Sequence, residues 1–236
     1  MPHSRRQFLV TTSAAAAVAS CSGQSARVPH VVLLGDSIFD NAQYVPGKPD
    51  VIEQLRAALG SNGKATLLAR DGDVTASIEE QLRGVPADAT HLVLSVGGND
   101  ALGHIGMLER AVHSSSAVFT ELAEVQAQFR MGYTKMLAAV QKRGLPTTVC
   151  LIYDSNFDAS RKPQADVALT IFNDVILRSA GHAGLPVIDL RRIFDQREDY
   201  ANAIEPSEIG GAKMVRVILE VVRAHDFVKG RTTLYA

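Results

Sequence analysis

The sequence predicts a three-layer α/β/α sandwich around a five-stranded parallel sheet of flavodoxin-like order 2-1-3-4-5. Three observations lead there. Five short apolar runs recur along the chain: Val31 to Leu34, Ala65 to Leu68, His91 to Val96, Thr147 to Tyr153 and Val187 to Leu190. Stretches with helical spacing separate them. A length of 236 residues, 46% hydrophobic and 21% charged, supplies one large domain with ample core material.

Each apolar run is too short for a helix, and its near-continuous apolarity is that of a strand buried on both faces. Between the runs, Asp50 to Leu59 reads as a helix stopped by Gly60, and Ser77 with Glu80 makes a capping-box pattern for the next. The longest helix is expected from about Ser116 to Arg143, where Val118, Leu122, Val125, Phe129, Tyr133, Met136 and Val140 follow at three- and four-residue steps. A fourth takes in Ala168, Ile171, Phe172, Val175 and Ile176 and stops at Gly181; the last follows Ser207 and carries Met214, Ile218 and Val221. No internal repeat is visible. With this strand order, strands 1 and 3 are neighbours whose following loops diverge, so a ligand is expected in the crevice above their carboxyl ends.

The chain opens with a different kind of segment. Ser4-Arg5-Arg6-Gln7-Phe8-Leu9 precedes a short run of small and apolar residues, which ends at Val18-Ala19-Ser20-Cys21. Paired arginines resemble a twin-arginine export signal, and the last four residues resemble the lipobox at which bacterial lipoproteins are cleaved and lipidated. The expected organisation is a signal peptide over 1–20, a small polar tether over 21–29 and a folded domain over 30–236. The protein is expected to be exported to the periplasm or cell envelope, with Cys21 as its lipidation site and its only membrane contact. The plainer alternative is cleavage after the alanine run with Cys21 incidental. Cys150, the other cysteine, fits an inert buried strand thiol. A net charge of −1 gives no footing for nucleic-acid binding.

The chemistry-bearing residues gather at the predicted carboxyl ends of the strands. Gly35-Asp36-Ser37-Ile38-Phe39-Asp40-Asn41 follows strand 1, Arg70-Asp71-Gly72-Asp73 follows strand 2, and Gly97-Gly98-Asn99-Asp100 follows strand 3. A serine on a tight turn leaving a buried strand, near a helix N-terminus, occupies a nucleophile's position. Asn99 offers a side-chain donor from the neighbouring strand, and Gly72 an unobstructed amide. Taken singly, each loop reads equally well as ordinary turn chemistry. The first and third loops hold no Lys or Arg and match no phosphate-binding glycine pattern, and the Gly-x-Ser-x-Gly elbow is absent.

Taken together, Gly35-Asp36-Ser37, Gly72 and Gly97-Gly98-Asn99-Asp100 resemble blocks I, II and III of the SGNH/GDSL hydrolase superfamily. The resemblance spans essentially the whole chain after Cys21. It implies an esterase or lipase with Ser37 as nucleophile and with the Ser37 amide, the Gly72 amide and the Asn99 side chain as oxyanion hole. Gly35, Asp36, Gly98 and Asp100 support the motifs, and Asp100 is expected to fix its loop rather than perform chemistry. The substrates implied are small-molecule, glycan or lipid esters and thioesters, with no cofactor and no metal.

The fourth block departs from the family pattern. Where an Asp-x-x-His pair precedes the last helix, this chain reads Asn202-Ala203-Ile204-Glu205-Pro206. Glu205 stands at the histidine position and Asn202 at the aspartate position. Three outcomes compete. Glu205 is the base, its pKa raised by burial and its carboxylate held by donation from the Asn202 amide. Alternatively, His104 substitutes from another loop. In the third, the scaffold has become a non-catalytic carbohydrate- or lipid-binding module. Asp154 and Asp158, after strand 4, lie on the same rim, and the stretch from Ala101 to Ser116 with the rim near Asn156 is where the substrate pocket is expected.

Overall fold

A computed structural model describes residues 28–236. The proposed signal segment, Cys21 and most of the tether lie outside the described residues. The strands are β1 (His30–Gly35), β2 (Lys64–Leu67), β3 (His91–Ser95), β4 (Thr147–Cys150), β5 (Val187–Ile188) and β6 (Leu234–Tyr235). All pairings are parallel, in the order β2-β1-β3-β4-β5-β6. The sheet therefore has the expected order with a sixth strand added at its edge. That strand is two residues long, too short to leave an apolar signature in the sequence.

The helices are α1 (Val51–Leu59), α2 (Ile78–Gln81), α3 (Gly98–Leu102), α4 (Ser115–Gln141), α5 (Lys162–Ala183), α6 (Leu190–Ile193) and α7 (Glu208–Ala224). They form the two outer layers. Along β1, Val31 and Leu33 face one core with α1, α6 and α7, while Val32 and Leu34 face the other with α2, α4 and α5. This is the strand alternation seen when both faces are covered by helices.

Caps explain most helix ends. The Asp50 side chain accepts from the Glu53 amide and the Glu53 side chain reciprocates, starting α1 one residue after the expected Asp50. Ser207 Oγ accepts from the amides of Ile209 and Gly210 and starts α7. Ser77 is different: its hydroxyl accepts from the Val74 amide and closes a 3-10 turn ahead of α2, so the expected capping box with Glu80 is not formed. The fourth helix starts earlier than expected, at Lys162, and passes through Gly181 to end at Gly184. Cys150 is free and buried, and desolvation pushes its thiol far up, which keeps it unreactive.

Candidate active site

The loops after β1, β2 and β3 converge at the switch point between β1 and β3. Gly35 ends β1 with φ of +143°, and a Cβ there would lie 1.8 Å from the Ser95 carbonyl oxygen, so only glycine lets the two strand ends come this close. Its backbone N–H and C=O are both bound by the Gln81 side-chain amide, at 2.9 and 2.7 Å. Ser37 follows on a turn held by Asp36: the Asp36 carbonyl accepts from Phe39 and Asp40, and its Oδ1 accepts from Ile38 at 3.1 Å. No helix begins here, because α1 starts only at Val51, so the expected helix N-terminus beside the serine is replaced by this turn.

Among the described residues, that turn leaves the Ser37 amide without an acceptor, and the Gly72 amide, in a left-handed turn with φ of +81°, likewise finds none. Gly72 is exposed and is not among the residues that line the cavity. Asn99, on α3, spends one amide N–H on the Asp73 carbonyl at 2.9 Å, which ties the β3 loop to the β2 loop and orients its other N–H. Asp100 accepts from the Thr75 amide and hydroxyl at 2.9 and 3.0 Å, a tie between the same two loops.

The fourth block is a tight loop closed by an antiparallel bridge between Tyr200 and Pro206. It is clamped from several sides. Tyr153 donates its hydroxyl to the Ile204 carbonyl at 2.6 Å, the Asn156 amide donates to the Ala203 carbonyl at 2.8 Å, and Asn41 donates to the Pro206 carbonyl at 3.1 Å. Asn202 acts from within: its Oδ1 accepts from the amides of Ile204 and Glu205 at 2.9 and 3.0 Å. The expectation that its amide would donate to the Glu205 carboxylate is therefore corrected. Asn202 is exposed and shapes the backbone beneath Glu205, an Asx turn rather than a grip on the carboxylate.

Ser37 and Glu205 line one cavity, together with Asp36, Gly98 and Asn99. Glu205 is only 4% exposed, and burial pushes its carboxyl up to about 7; the neighbouring Ser37 hydroxyl favours the charged form and Asp71 opposes it. Asp36, 2% exposed, is pushed up to about 8 by burial, with the charges of Glu205 and Asp100 adding to the rise. Among the described residues, three buried polar side-chain atoms in this cavity have no hydrogen-bond partner: Glu205 Oε2, Asp36 Oδ2 and Ser155 Oγ. Buried polar atoms without partners call for an explanation, and a polar ligand in this cleft would supply one.

His104 also lines this cavity, with its ring packed toward Phe172 at 6.4 Å between centroids. Asp154 and Asp158 do not line it; Asp158 accepts from the Ser160 and Arg161 amides at the start of α5. Sequence reasoning missed Ser155, Tyr153, Gln81 and the clamp made by Asn41. Asn41 was readable as part of the loop after β1, but only the fold shows that it reaches a carbonyl 165 positions away. Among the described residues, no three His, Cys, Asp or Glu side chains are grouped to hold a metal ion.

A model of the GDSL-like lipase/acylhydrolase family matches residues 33–210. No curated protein matches the sequence. Solved structures share the fold: an extracellular lipase from Streptomyces rimosus, 18% identical, aligns over 81% of this chain and 99% of its own with a TM-score of 0.60. Phospholipase A1 from Streptomyces albidoflavus NA297, 15% identical, aligns over 82% and 99% with a TM-score of 0.62. A member of the lipolytic G-D-S-L family from Veillonella parvula DSM 2008, 18% identical, aligns over 83% and 99%, also at 0.62.

Proposed function

Since the chain belongs to the GDSL-like lipase/acylhydrolase family and is an ester-hydrolysing enzyme, we propose that it works through an acyl-serine intermediate with Glu205 in the place of the usual imidazole. The observation that carries this reading is a buried carboxyl, raised to about 7, that lines the same cavity as Ser37 and is close enough for the Ser37 hydroxyl to favour its charged form. A general base is most effective when its pKa lies near the working pH, and desolvation brings an ordinary carboxylate there.

Ionised Glu205 takes the Ser37 proton as Oγ attacks the ester carbonyl. The carbonyl oxygen, now negative, is met by the Ser37 and Gly72 amides and by the free Asn99 N–H, three donors fixed before the charge develops. Protonated Glu205 returns its proton to the departing alcohol oxygen. Water, deprotonated in turn by Glu205, attacks the acyl-serine; as the acyl–Oγ bond breaks, Glu205 returns that proton to Ser37 Oγ and the acid is released. Asn202 and Tyr153 hold the loop that aims Glu205, and Asp36 holds the turn that aims Ser37. The reading extends to an exported protein held to a membrane by Cys21, supported by the arginine pair and the Val18-Ala19-Ser20-Cys21 pattern.

A fluorophosphonate probe tests the nucleophile. Covalent labelling of the wild type that is lost in Ser37→Ala is expected; a folded wild-type protein that takes no label would instead favour a ligand-binding module on this scaffold.

A further inference from the structure

The two sides of the Ser37 and Glu205 pair differ in chemistry. On the side of α4 and α5 the cavity wall is hydrocarbon: Leu102 at the end of α3, Leu108 in the 3-10 turn over Ile105–Glu109, Leu122 on α4, Ile152 after β4, and Leu169 and Phe172 on α5. Ile152 and Phe172 are buried, Leu102, Leu122 and Leu169 half-buried, and Leu108 is exposed at 37%, so the wall runs from the core to solvent without a charged side chain among these six. On the other side, the loops after β1 and β2 form a polar rim. Asp71 accepts from Tyr44 Oη at 3.1 Å and from Gln43 Nε2, and its own amide donates to Asp40 Oδ2 at 2.9 Å. Asp71 is near enough to raise the Glu205 carboxyl. Asp40, Asp71 and Asp73 face one neighbouring cation, Arg70, since Lys48, farther along the loop after β1, is paired with Glu208.

Resting on the ester-hydrolase reading above, we infer that the substrate is an ester of a medium-length hydrocarbon acid with an uncharged or cationic hydroxylated alcohol, the acyl chain lying along the α4 and α5 wall and the alcohol over the Asp40, Tyr44 and Asp71 rim. The orientation follows from the mechanism. The leaving oxygen must collect its proton from Glu205, and Asp71 acts on that carboxyl from the polar side. The acyl group, bonded to Ser37 and with its oxygen turned to Asn99, is left beside α3, the helix that carries Asn99 and ends at Leu102 in the hydrocarbon wall. An acetyl group would leave this wall in contact with water. An anionic headgroup would meet three carboxylates on the rim, whereas a choline-like or glycerol-like alcohol would not be repelled.

The inference is tested with p-nitrophenyl acetate, butyrate and octanoate. Each methylene taken out of water is worth about fourfold, so with six more methylenes kcat/KM for octanoate is expected to exceed that for acetate by on the order of 10³-fold. Ala168, on α5 in the same cavity, supplies the steric test. Ala168→Phe, with Ala168→Leu as the milder change, is expected to lower the octanoate-to-acetate ratio by roughly tenfold or more, read mainly in KM for octanoate. Equal rates across the series, or an unchanged ratio in both variants, would overturn the acyl assignment. For the alcohol, monooctanoyl glycerol and octanoylcholine are expected to outrun octanoyl glycerol phosphate by roughly tenfold; a preference for the phosphate would overturn that half. Displacement of N-phenyl-1-naphthylamine from the Ser37→Ala protein by octanoyl glycerol reads the cavity without catalysis. Displacement weakened by Ala168→Phe, in a wild type that hydrolyses nothing, would keep the acyl site and remove the enzymatic reading. No displacement would remove the acyl site even from an active enzyme.

Discussion

In the proposed mechanism the donors and the base meet at one serine but are built on different physics. The donor side, made by the loops after β1, β2 and β3, is a matter of backbone geometry. Gly35 allows β1 and β3 to close on each other, Gln81 pins Gly35 through both its backbone groups, and the Asp73 and Thr75 backbone takes up Asn99 and Asp100. Such a site stabilises charge because its dipoles are already oriented. The base side is a single carboxyl whose usefulness depends on how dry it is. Backbone donors keep their dipoles as pH changes, whereas a desolvated carboxyl changes its charge.

The largest effect expected from this contrast is on the base side. Glu205→Gln keeps shape and burial but cannot take a proton, and kcat is expected to fall by roughly 10²- to 10⁴-fold, measured on a p-nitrophenyl ester at pH 8. Asn99→Ala removes one oxyanion donor, and kcat is expected to drop on the order of 10²-fold with little change in the pH at which activity rises. A shifted pH midpoint in Asn99→Ala would show that the two sides are not separable.

Stability gives an intermediate test. Glu205 and Asp36 have folded-state values of about 7 and about 8, above their ordinary 4.5 and 3.8. Between the ordinary and the raised values the folded state holds more protons than the unfolded chain, so stability is lost as pH rises across that window. Wild-type melting temperature is therefore expected to fall from pH 5 to pH 8, and Glu205→Gln to fall less. The smallest effect is expected from Tyr153→Phe, which removes the 2.6 Å bond to the Ile204 carbonyl. A loss of about 1 kcal/mol in stability and a few-fold lower kcat should follow, read by chemical denaturation and steady-state kinetics. A larger loss in KM than in kcat would show that Tyr153 serves substrate binding rather than the loop.

The loops proposed as the donor side were legible in the sequence and the surroundings of Glu205 only in outline, for the same physical reason. Strands buried on both faces leave continuous apolar runs, and tight strand ends leave glycines, so Val31 to Leu34 followed by Gly35-Asp36-Ser37 could be placed before any coordinates. Glu205 could be placed too, as a substitution in a motif. Its pKa could not, because burial comes from distant segments: Tyr153 after β4, and Asn41 after β1, which holds the loop from 165 positions away. Asn202 shows the limit of analogy by position. Standing where an aspartate would orient a histidine, it instead accepts two backbone amides and sets the turn. Ser155 carried no signal at all, since one buried hydroxyl without a partner becomes visible only when the cavity around it is known.

The central claim is that desolvation turns Glu205 into the base for Ser37. Its most direct test is kcat/KM measured from pH 5 to pH 9 in the wild type and in Glu205→Gln, with folding verified at each pH. A rise through a midpoint near 7 in the wild type, absent from the residual activity of the variant, is the expected result. The same midpoint in both proteins, or equal rates above it, would assign the proton to another group and contradict the account.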